Sequence, residues 1–153
     1  MLLAENRVPF GAIYVSEKDF ENSDSQAWFI ATQLRYYLAR ITTAPFEVKS
    51  DDNVGNVGIY LERNDTYADD EFSINTENGS LYIKGGKRGV IYGGYELLEI
   101  IGCRFFTPDC EKIPTITKLE IDDINKRERP VFEFRDTDYG SVTHYLKFAT
   151  QCR

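Results

Sequence analysis

Apolar residues recur along the chain with a helical period in two places. Over residues 27–41 they return every three or four positions, which predicts an amphipathic helix with one apolar face. Ser23–Gln26 can form a capping box before this helix, and Pro45 is predicted to stop it. A second apolar face runs over Arg88–Ile101, where Gly102 is placed to cap the C-terminus in a left-handed conformation. The pattern therefore predicts two long helices.

Short runs of β-forming residues surround these helices. Between the fourth and fifth runs, Asn78-Gly79 favours a type I′ turn, so these two strands should form a hairpin. The element order does not alternate strictly between strand and helix. We therefore predict an α+β fold, a small mixed β-sheet with two helices packed on one face. The predicted strands are Ala12–Val15, Phe46–Lys49, Val57–Leu61, Phe72–Asn75, Leu81–Lys84, Cys103–Phe106, Leu119–Ile121 and Val131–Arg135.

The charge balance narrows the possible partners. The 153-residue chain carries a formal net charge of −7, which repels nucleic acid and anionic membrane surfaces. The short basic cluster Lys126–Arg129 is interrupted by Glu and is interpreted as a solvated linker. No apolar run approaches the ~18 residues that span a bilayer, and Met1–Ala4 is too short for a signal peptide. We therefore expect neither nucleic acid binding nor a membrane span.

The reactive side chains form no recognisable catalytic or metal motif. Cys103, Cys110 and Cys152 make an odd count without a C-x-x-C pair, so free thiols and a Cys103–Cys110 bridge both stay open. His144 is the only histidine; Ser141 and Cys152 lie near it in sequence, but no nucleophile signature surrounds them. No catalytic residue, metal or cofactor is predicted within this chain.

The glycine-rich stretch before the second helix raises the question of a phosphate loop. Gly85–Gly89 precedes a helix, but its spacing fits neither G-x-x-x-x-G-K-[ST] nor G-x-G-x-x-G. A chain reversal after the hairpin explains these glycines instead. Gly93 and Gly94 lie inside the helix, where each costs about 1 kcal/mol relative to Ala. They predict close packing of this helix against the sheet.

Carboxylates and tyrosines are the remaining candidates for carbohydrate chemistry. Glycosidases place two carboxyl groups ~5–9.5 Å apart, whereas most acidic clusters here fall in predicted turns, where Asp favours local hydrogen bonds. Exposed tyrosine rings could form a sugar platform, and core packing is the alternative. The acidic clusters are Asp51-Asp52, Asp69–Glu71, Asp122-Asp123 and Asp136 with Asp138; the tyrosines are Tyr36, Tyr37, Tyr60, Tyr67, Tyr82, Tyr92 and Tyr95.

Several phrases together resemble a known family. "FSINTENGSLYIKGG", then "RGVIYGGYELLEIIGCRFFTPD", then "KIP" resemble the small α+β domain that precedes the catalytic barrel in bacterial alpha-glucuronidases and beta-N-acetylhexosaminidases, in the version found in glycoside-hydrolase-like proteins of gut Bacteroidetes. The resemblance covers about residues 10–125. The matching positions are Glu71, Phe72, Ile74, Gly85, Gly86, Arg88, Gly89, Tyr92, Gly93, Leu97, Leu98, Glu99, Gly102, Cys103, Arg104, Phe106, Thr107 and Pro108.

The resemblance implies a division of the chain. Residues 1–125 would be a hexosaminidase domain 2-like accessory domain, and residues 126–153 the linker and truncated start of a (β/α)8 barrel. In "RPVFEFRDTDYG", Arg135 matches the family arginine that contacts sugar hydroxyls. A barrel needs about 200 residues or more, so the chain would not be catalytic by itself and its partner would be the barrel of the same glycoside hydrolase. A periplasmic or extracellular location is implied; the alternative is an independent carbohydrate-binding module with an oligosaccharide ligand.

Overall fold

A computed structural model describes residues 1–51, 56–129 and 150 of the chain. The helices are α1 (Glu17–Phe20), α2 (Gln26–Thr42) and α3 (Gly89–Ile101). The strands are β1 (Leu2–Glu5), β2 (Val8–Pro9), β3 (Ala12–Val15), β4 (Val48–Ser50), β5 (Gly58–Arg63), β6 (Phe72–Glu77), β7 (Ser80–Gly85), β8 (Arg104–Thr107), β9 (Cys110–Lys112), β10 (Lys118–Glu120) and β11 (Asn125–Glu128).

Six strands form a mixed sheet in the order β11-β6-β7-β5-β3-β4. The strands β4, β3, β5 and β7 are parallel neighbours, whereas β6 and β11 pair antiparallel at one side. Asn78 and Gly79 join β6 to β7 with φ of 50° and 76°, the left-handed conformations that a type I′ turn requires. The predicted α+β class, mixed sheet and hairpin are confirmed.

One face of this sheet carries both long helices. Side chains alternate along β3 and β5, so Ile13, Val15, Ile59 and Leu61 point toward the helices and join one core with the apolar face of α2. Tyr14 and its neighbours in the adjacent strands form a second cluster on the opposite face. Burying each Ile or Leu stabilises the fold by about 1.5–3 kcal/mol, so this helix-sheet core is the main source of stability.

The ends of α2 differ from the sequence prediction. Ser25, not Ser23, caps the helix: its hydroxyl accepts from the Trp28 amide at 3.4 Å and donates to Asp19 Oδ1 at 2.6 Å. The capping-box prediction was wrong because Asp19, in the single-turn helix α1, positions Ser25. Helix α2 ends at Thr42, before Pro45, since Thr43 adopts a left-handed conformation with φ of 58°.

Glycines in α3 allow close packing, as predicted, but against two partners. A Cβ at Gly93 would come within 2.6 Å of Ile83 Cγ2 in β7, so this glycine lets α3 approach the sheet. A Cβ at Gly94 would instead overlap the side chain of Ile30 in α2. Gly102 caps α3 with φ of 113°, and its amide donates to the carbonyls of Leu98 and Glu99. The two adjacent glycines thus set separate contacts.

Some strands were missed because their partners are distant in sequence. The N-terminal segment, interpreted as a polar start, forms β1 between β10 and β2 in a separate three-stranded sheet. Leu3 and Ala4 are fully buried there. Strand β9 pairs with β8 in a hairpin after the predicted Cys103–Phe106 strand. The sequence window around β1 contains no signal for β10, more than a hundred residues later.

The charged segment near residue 125 is part of the main sheet. Asn125–Glu128 pairs antiparallel with β6 in a continuous register, so the interpretation of this segment as a solvated linker was wrong. The backbone of this segment pairs with β6, where Ile74 lies opposite Lys126 and Phe72 opposite Glu128. The charge pattern of the segment alone does not reveal this strand pairing. The division into residues 1–125 and 126–153 stays a prediction, since 130–149 and 151–153 lie outside the described residues.

The α2–α3 contact gives a first testable prediction. Gly94→Ala should lower the free energy of unfolding by about 1–2 kcal/mol, because overpacking against Ile30 outweighs the gain in helix propensity. Urea unfolding measures this difference. The double variant Gly94→Ala/Ile30→Ala should lose less than the sum of the two single variants, because Ile30→Ala removes the overlapping atoms. A more stable Gly94→Ala protein would show that α2 leaves room for a methyl group.

Candidate functional site

The glycine turn before α3 is closed by a neighbouring loop. The Arg88 and Gly89 amides both donate to the Asp69 carbonyl at 2.8 Å, and the Gly86 amide donates to the Glu71 carbonyl at 2.9 Å. A Cβ at Gly86 or Gly89 would overlap the carbonyl oxygens of this loop. The amides that a phosphate would need are therefore occupied, and the glycines admit the loop of residues 68–71 rather than an anion.

Glu71 is the centre of the strongest polar cluster at this turn. Its side chain is only 4% exposed and accepts the Ala68 amide at 3.0 Å. It also accepts Arg127 Nε at 2.8 Å and Nη2 at 2.6 Å. The Ala68 hydrogen bond first, and Arg127 next, hold the pKa of Glu71 below its ordinary value. The guanidinium lies 4.5 Å from the centre of the Tyr67 ring, which adds a cation–π contact.

Lys126, the residue of β11 before Arg127, is anchored on the other face of the sheet. Lys126 Nζ lies 2.7 Å from Oε1 of Glu96, a mostly buried carboxylate of α3, and 2.8 Å from Oε1 of Glu128. Neighbouring strand residues point to opposite faces, so Lys126 and Arg127 each find a separate carboxylate. A one-residue slip would place both cations on the wrong face. These two ion pairs therefore define the register of β11.

Side chains of the β8–β9 hairpin contact both long helices, α2 and α3. Glu111 accepts the Tyr37 hydroxyl at 2.7 Å and Arg40 Nη1 at 2.5 Å, both from α2. Burial, then this hydrogen bond, raises the pKa of Tyr37 above its ordinary value. Phe105 packs edge-on against Tyr37 and Tyr95, with ring centres 5.5 and 5.6 Å apart. The hairpin is thus fixed, and its outer residue Phe106 is 59% exposed.

Three tyrosines form a row on the sheet face opposite the helices. The register pairs Tyr14 with Tyr60 and Tyr60 with Tyr82, and their rings stack with centres 4.8 and 5.0 Å apart. Tyr14 is 7% and Tyr60 is 8% exposed. Tyr60 is stacked on both ring faces, and Tyr14 is buried, so these two rings form no platform for a sugar; Tyr82 at the end of the row is partly buried. Tyr14 was not among the tyrosines that the sequence analysis named as candidates. The strand register alone places it beside Tyr60.

The predicted acidic clusters separate in the structure. Asp70 pairs with Arg88 Nε at 2.5 Å and Glu71 pairs with Arg127, while Asp122 and Asp123 are exposed. Within residues 1–51 and 56–129, no group of three or more His, Cys, Asp or Glu is arranged to hold a metal ion. The remaining sequence candidates, Arg135, Asp136, Asp138, Ser141, His144 and Cys152, and the predicted strand Val131–Arg135, lie outside the described residues, as does Asp52.

The two described cysteines are free thiols. Cys103 is buried and Cys110 is exposed, which decides against the bridge between them. Burial, followed by the nearby Glu111 carboxylate, raises the pKa of Cys103 to about 11. Cys103 thus behaves as a small apolar side chain beneath the hairpin.

Comparison with known proteins identifies solved structures that resemble this chain. No protein-family model and no curated protein matches the chain. Among solved structures, it is similar to a GH20 exo-β-N-acetylglucosaminidase from Vibrio harveyi, crystallised with N-acetylglucosamine, with a TM-score of 0.52 and 14% identity over 88% of this chain. It is also similar to a GH138 enzyme targeting pectin rhamnogalacturonan II, with a TM-score of 0.40 and 26% identity over 57% of this chain.

These likenesses concern part of each enzyme. The chain spans 20% of the GH20 protein and 13% of the GH138 protein. At 14% identity the first likeness shows a shared fold, an α+β unit that occurs within a glycoside hydrolase. In the described part of the chain, no helix is both long and apolar enough to cross a membrane.

The Glu71 cluster gives a pH-dependent prediction. Because the folded-state pKa is lowered, the carboxylate stabilises the fold above its unfolded pKa of about 4.3, and this contribution is lost as the pH falls through the lower folded value. Glu71→Gln should therefore lower the urea midpoint at neutral pH, and this deficit should be smaller at pH ~3, below the unfolded-state pKa.

Glu77→Gln is the matched control for this experiment. Glu77 is the last residue of β6, the strand that follows Glu71; it is exposed and forms no ion pair with another described residue. Its substitution should leave the midpoint unchanged at either pH. Equal effects of the two substitutions, or a Glu71→Gln deficit that is the same at both pH values, would contradict the assigned ion pair.

The thiols give a prediction of reactivity. At pH ~8 a thiol with a pKa of about 11 is only about one-thousandth thiolate, so iodoacetamide should label Cys110 quickly and Cys103 very slowly. Peptide mass mapping distinguishes the sites. In denaturant both should react at similar rates. Rapid labelling of Cys103 in the folded protein would show that the β8–β9 hairpin opens.

Proposed function

We propose that residues 1–125 form a non-catalytic accessory domain of a carbohydrate-degrading glycoside hydrolase, and that residues 126–153 lead into its catalytic barrel. The observation that carries this proposal is the anchoring of β11. The chain passes from the domain toward residue 130 along an edge strand that Glu71 and Glu96 hold from opposite faces. The next segment therefore starts from a fixed position and direction.

The proposed mechanism is mechanical. The ion pairs of Arg127 and Lys126 resist displacement of β11 from the sheet, so a following domain is oriented relative to the helices. The exposed side chains of Phe106 and Ile100 add apolar surface on the helix side, which supports packing against such a domain. The similarity in fold to one part of the GH20 enzyme supports the same arrangement.

Further parts of this proposal follow from the family resemblance. The partner is the barrel of the same polypeptide, and within it Arg135 contacts sugar hydroxyls. The parent enzyme acts in the periplasm or outside the cell. The tyrosine row does not favour the alternative of a carbohydrate-binding module with an aromatic platform, because the rings of Tyr14 and Tyr60 are buried.

The test uses the longest natural polypeptide that contains this chain. We expect a (β/α)8 domain after residue 129 and one cooperative unfolding transition shared with residues 1–125. The double variant Arg127→Gln/Lys126→Gln should split this transition in calorimetry, since β11 no longer couples the two parts. Lys112→Gln, an exposed lysine on β9, is the control. Absence of a further domain, or a transition unaffected by the double variant, would overturn the proposal.

A further inference from the structure

The tip of the β6–β7 hairpin carries a chemically reactive pair that the accessory role does not use. Among the asparagines of the chain, only Asn78 is followed by a glycine. The backbone nitrogen that follows an asparagine can attack its side-chain amide carbon, and a side chain on the following residue crowds this nitrogen. Gly79 has no side chain, so this nitrogen is the least hindered of its kind in the chain.

The surroundings leave both reacting groups accessible. Asn78 and Gly79 are exposed, and a Cβ at Gly79 would meet no atom within 4 Å apart from its chain neighbours. Neither the Asn78 side chain nor the Gly79 amide forms a hydrogen bond with another described residue. The attacking nitrogen and the carbon that it would attack are therefore not held by contacts to the rest of the fold.

Other asparagines are restrained by hydrogen bonds and followed by larger residues. The side-chain oxygen of Asn64 accepts the Thr66 amide at 3.0 Å and the Thr66 hydroxyl at 2.7 Å. The side-chain oxygen of Asn22 accepts the Asp24 amide at 3.0 Å. Asn78 thus differs from both in its contacts and in the residue that follows it.

We propose that Asn78 is a site of spontaneous deamidation and isomerisation in the folded protein. The Gly79 nitrogen attacks Cγ of Asn78, and the new N–Cγ bond replaces the bond from Cγ to the side-chain amino group. Ammonia leaves with the Gly79 amide proton, and a five-membered succinimide ring remains. Water then hydrolyses the ring at one of its two carbonyls and gives aspartate or isoaspartate at position 78.

The turn has to open before the ring can close. Asn78 and Gly79 have φ of 50° and 76°, and the peptide between them must rotate to bring the nitrogen over Cγ. Both residues lie beyond the last strand pair, Glu77 with Ser80, so the rotation is confined to the hairpin tip. Exposed loop tips open at a small cost in free energy. The folded chain should therefore react, although more slowly than the unfolded chain.

Isoaspartate changes the backbone as well as the charge. The main chain then runs through Cβ and Cγ of residue 78 and is one atom longer. A two-residue type I′ turn fits the twist of its strands only with the normal backbone. The Glu77–Ser80 pair that closes the turn should therefore weaken, whereas aspartate at position 78 preserves the backbone. This inference goes beyond the accessory function and does not depend on it.

Incubation of the folded full chain at neutral pH, followed by peptide mass mapping, tests the site. Asn78 should deamidate at least about tenfold faster than Asn64 or Asn125, a difference of about 1.36 kcal/mol in activation free energy. Asn78→Gln should abolish the product at position 78, because its longer side chain would have to close a six-membered ring. Incubation in urea should accelerate the reaction at Asn78. A folded chain whose Asn78 reacts no faster than Asn64, or reacts only in urea, would overturn the site.

Amide hydrogen exchange tests the consequence for the turn. The isoaspartyl form, separated by chromatography, should exchange the Ser80 amide at least about tenfold faster than the unmodified protein. Asn78→Asp is the matched control, because it carries the same charge on a normal backbone. Equal exchange in these two forms would overturn the effect on the turn. The accessory function is tested by unfolding of the longer polypeptide, so either proposal can fail alone.

Discussion

The buried carboxylate of Glu71 is the interaction on which this end of the structure depends. It receives the Ala68 amide from its own loop and the Arg127 guanidinium from the last described strand. The Glu71 carbonyl, meanwhile, accepts the Gly86 amide. One residue thus connects the start of β6, the turn before α3 and the edge strand β11. A buried carboxylate without these donors would carry a large desolvation cost, so the three segments are ordered together.

In this arrangement, amides of the glycine-rich turn donate to backbone carbonyls and are not free for a phosphate. Glycines at a helix N-terminus commonly expose amides to an anion, but here backbone carbonyls of the adjacent loop take the same position. Only glycine fits at positions 86 and 89, because a side chain there would overlap that loop. The same residue type at the same place in a fold therefore serves packing in one protein and ligand binding in another, depending on what occupies the space above the amides.

The two faces of the main sheet and its edge differ in chemistry. The helix face is apolar and closed by α2 and α3, while the opposite face carries the stacked tyrosine row. The buried rings of Tyr14 and Tyr60 are not available to a sugar. Polar and charged side chains collect instead at the carboxyl ends of the parallel strands β3, β5 and β7. Strand direction, rather than composition, therefore decides where these side chains meet.

The sequence by itself determined the features that rest on local sterics. These are the apolar faces of α2 and α3, the Asn78-Gly79 turn, the Gly102 cap and the bounds of β3, and each depends on residues a few positions apart. The tertiary structure decided the rest. It selected Ser25 as the cap, paired β1 with β10, aligned the tyrosine row and joined Arg127 to Glu71 across 56 positions. Such contacts depend on strand register and burial, which a local pattern does not encode.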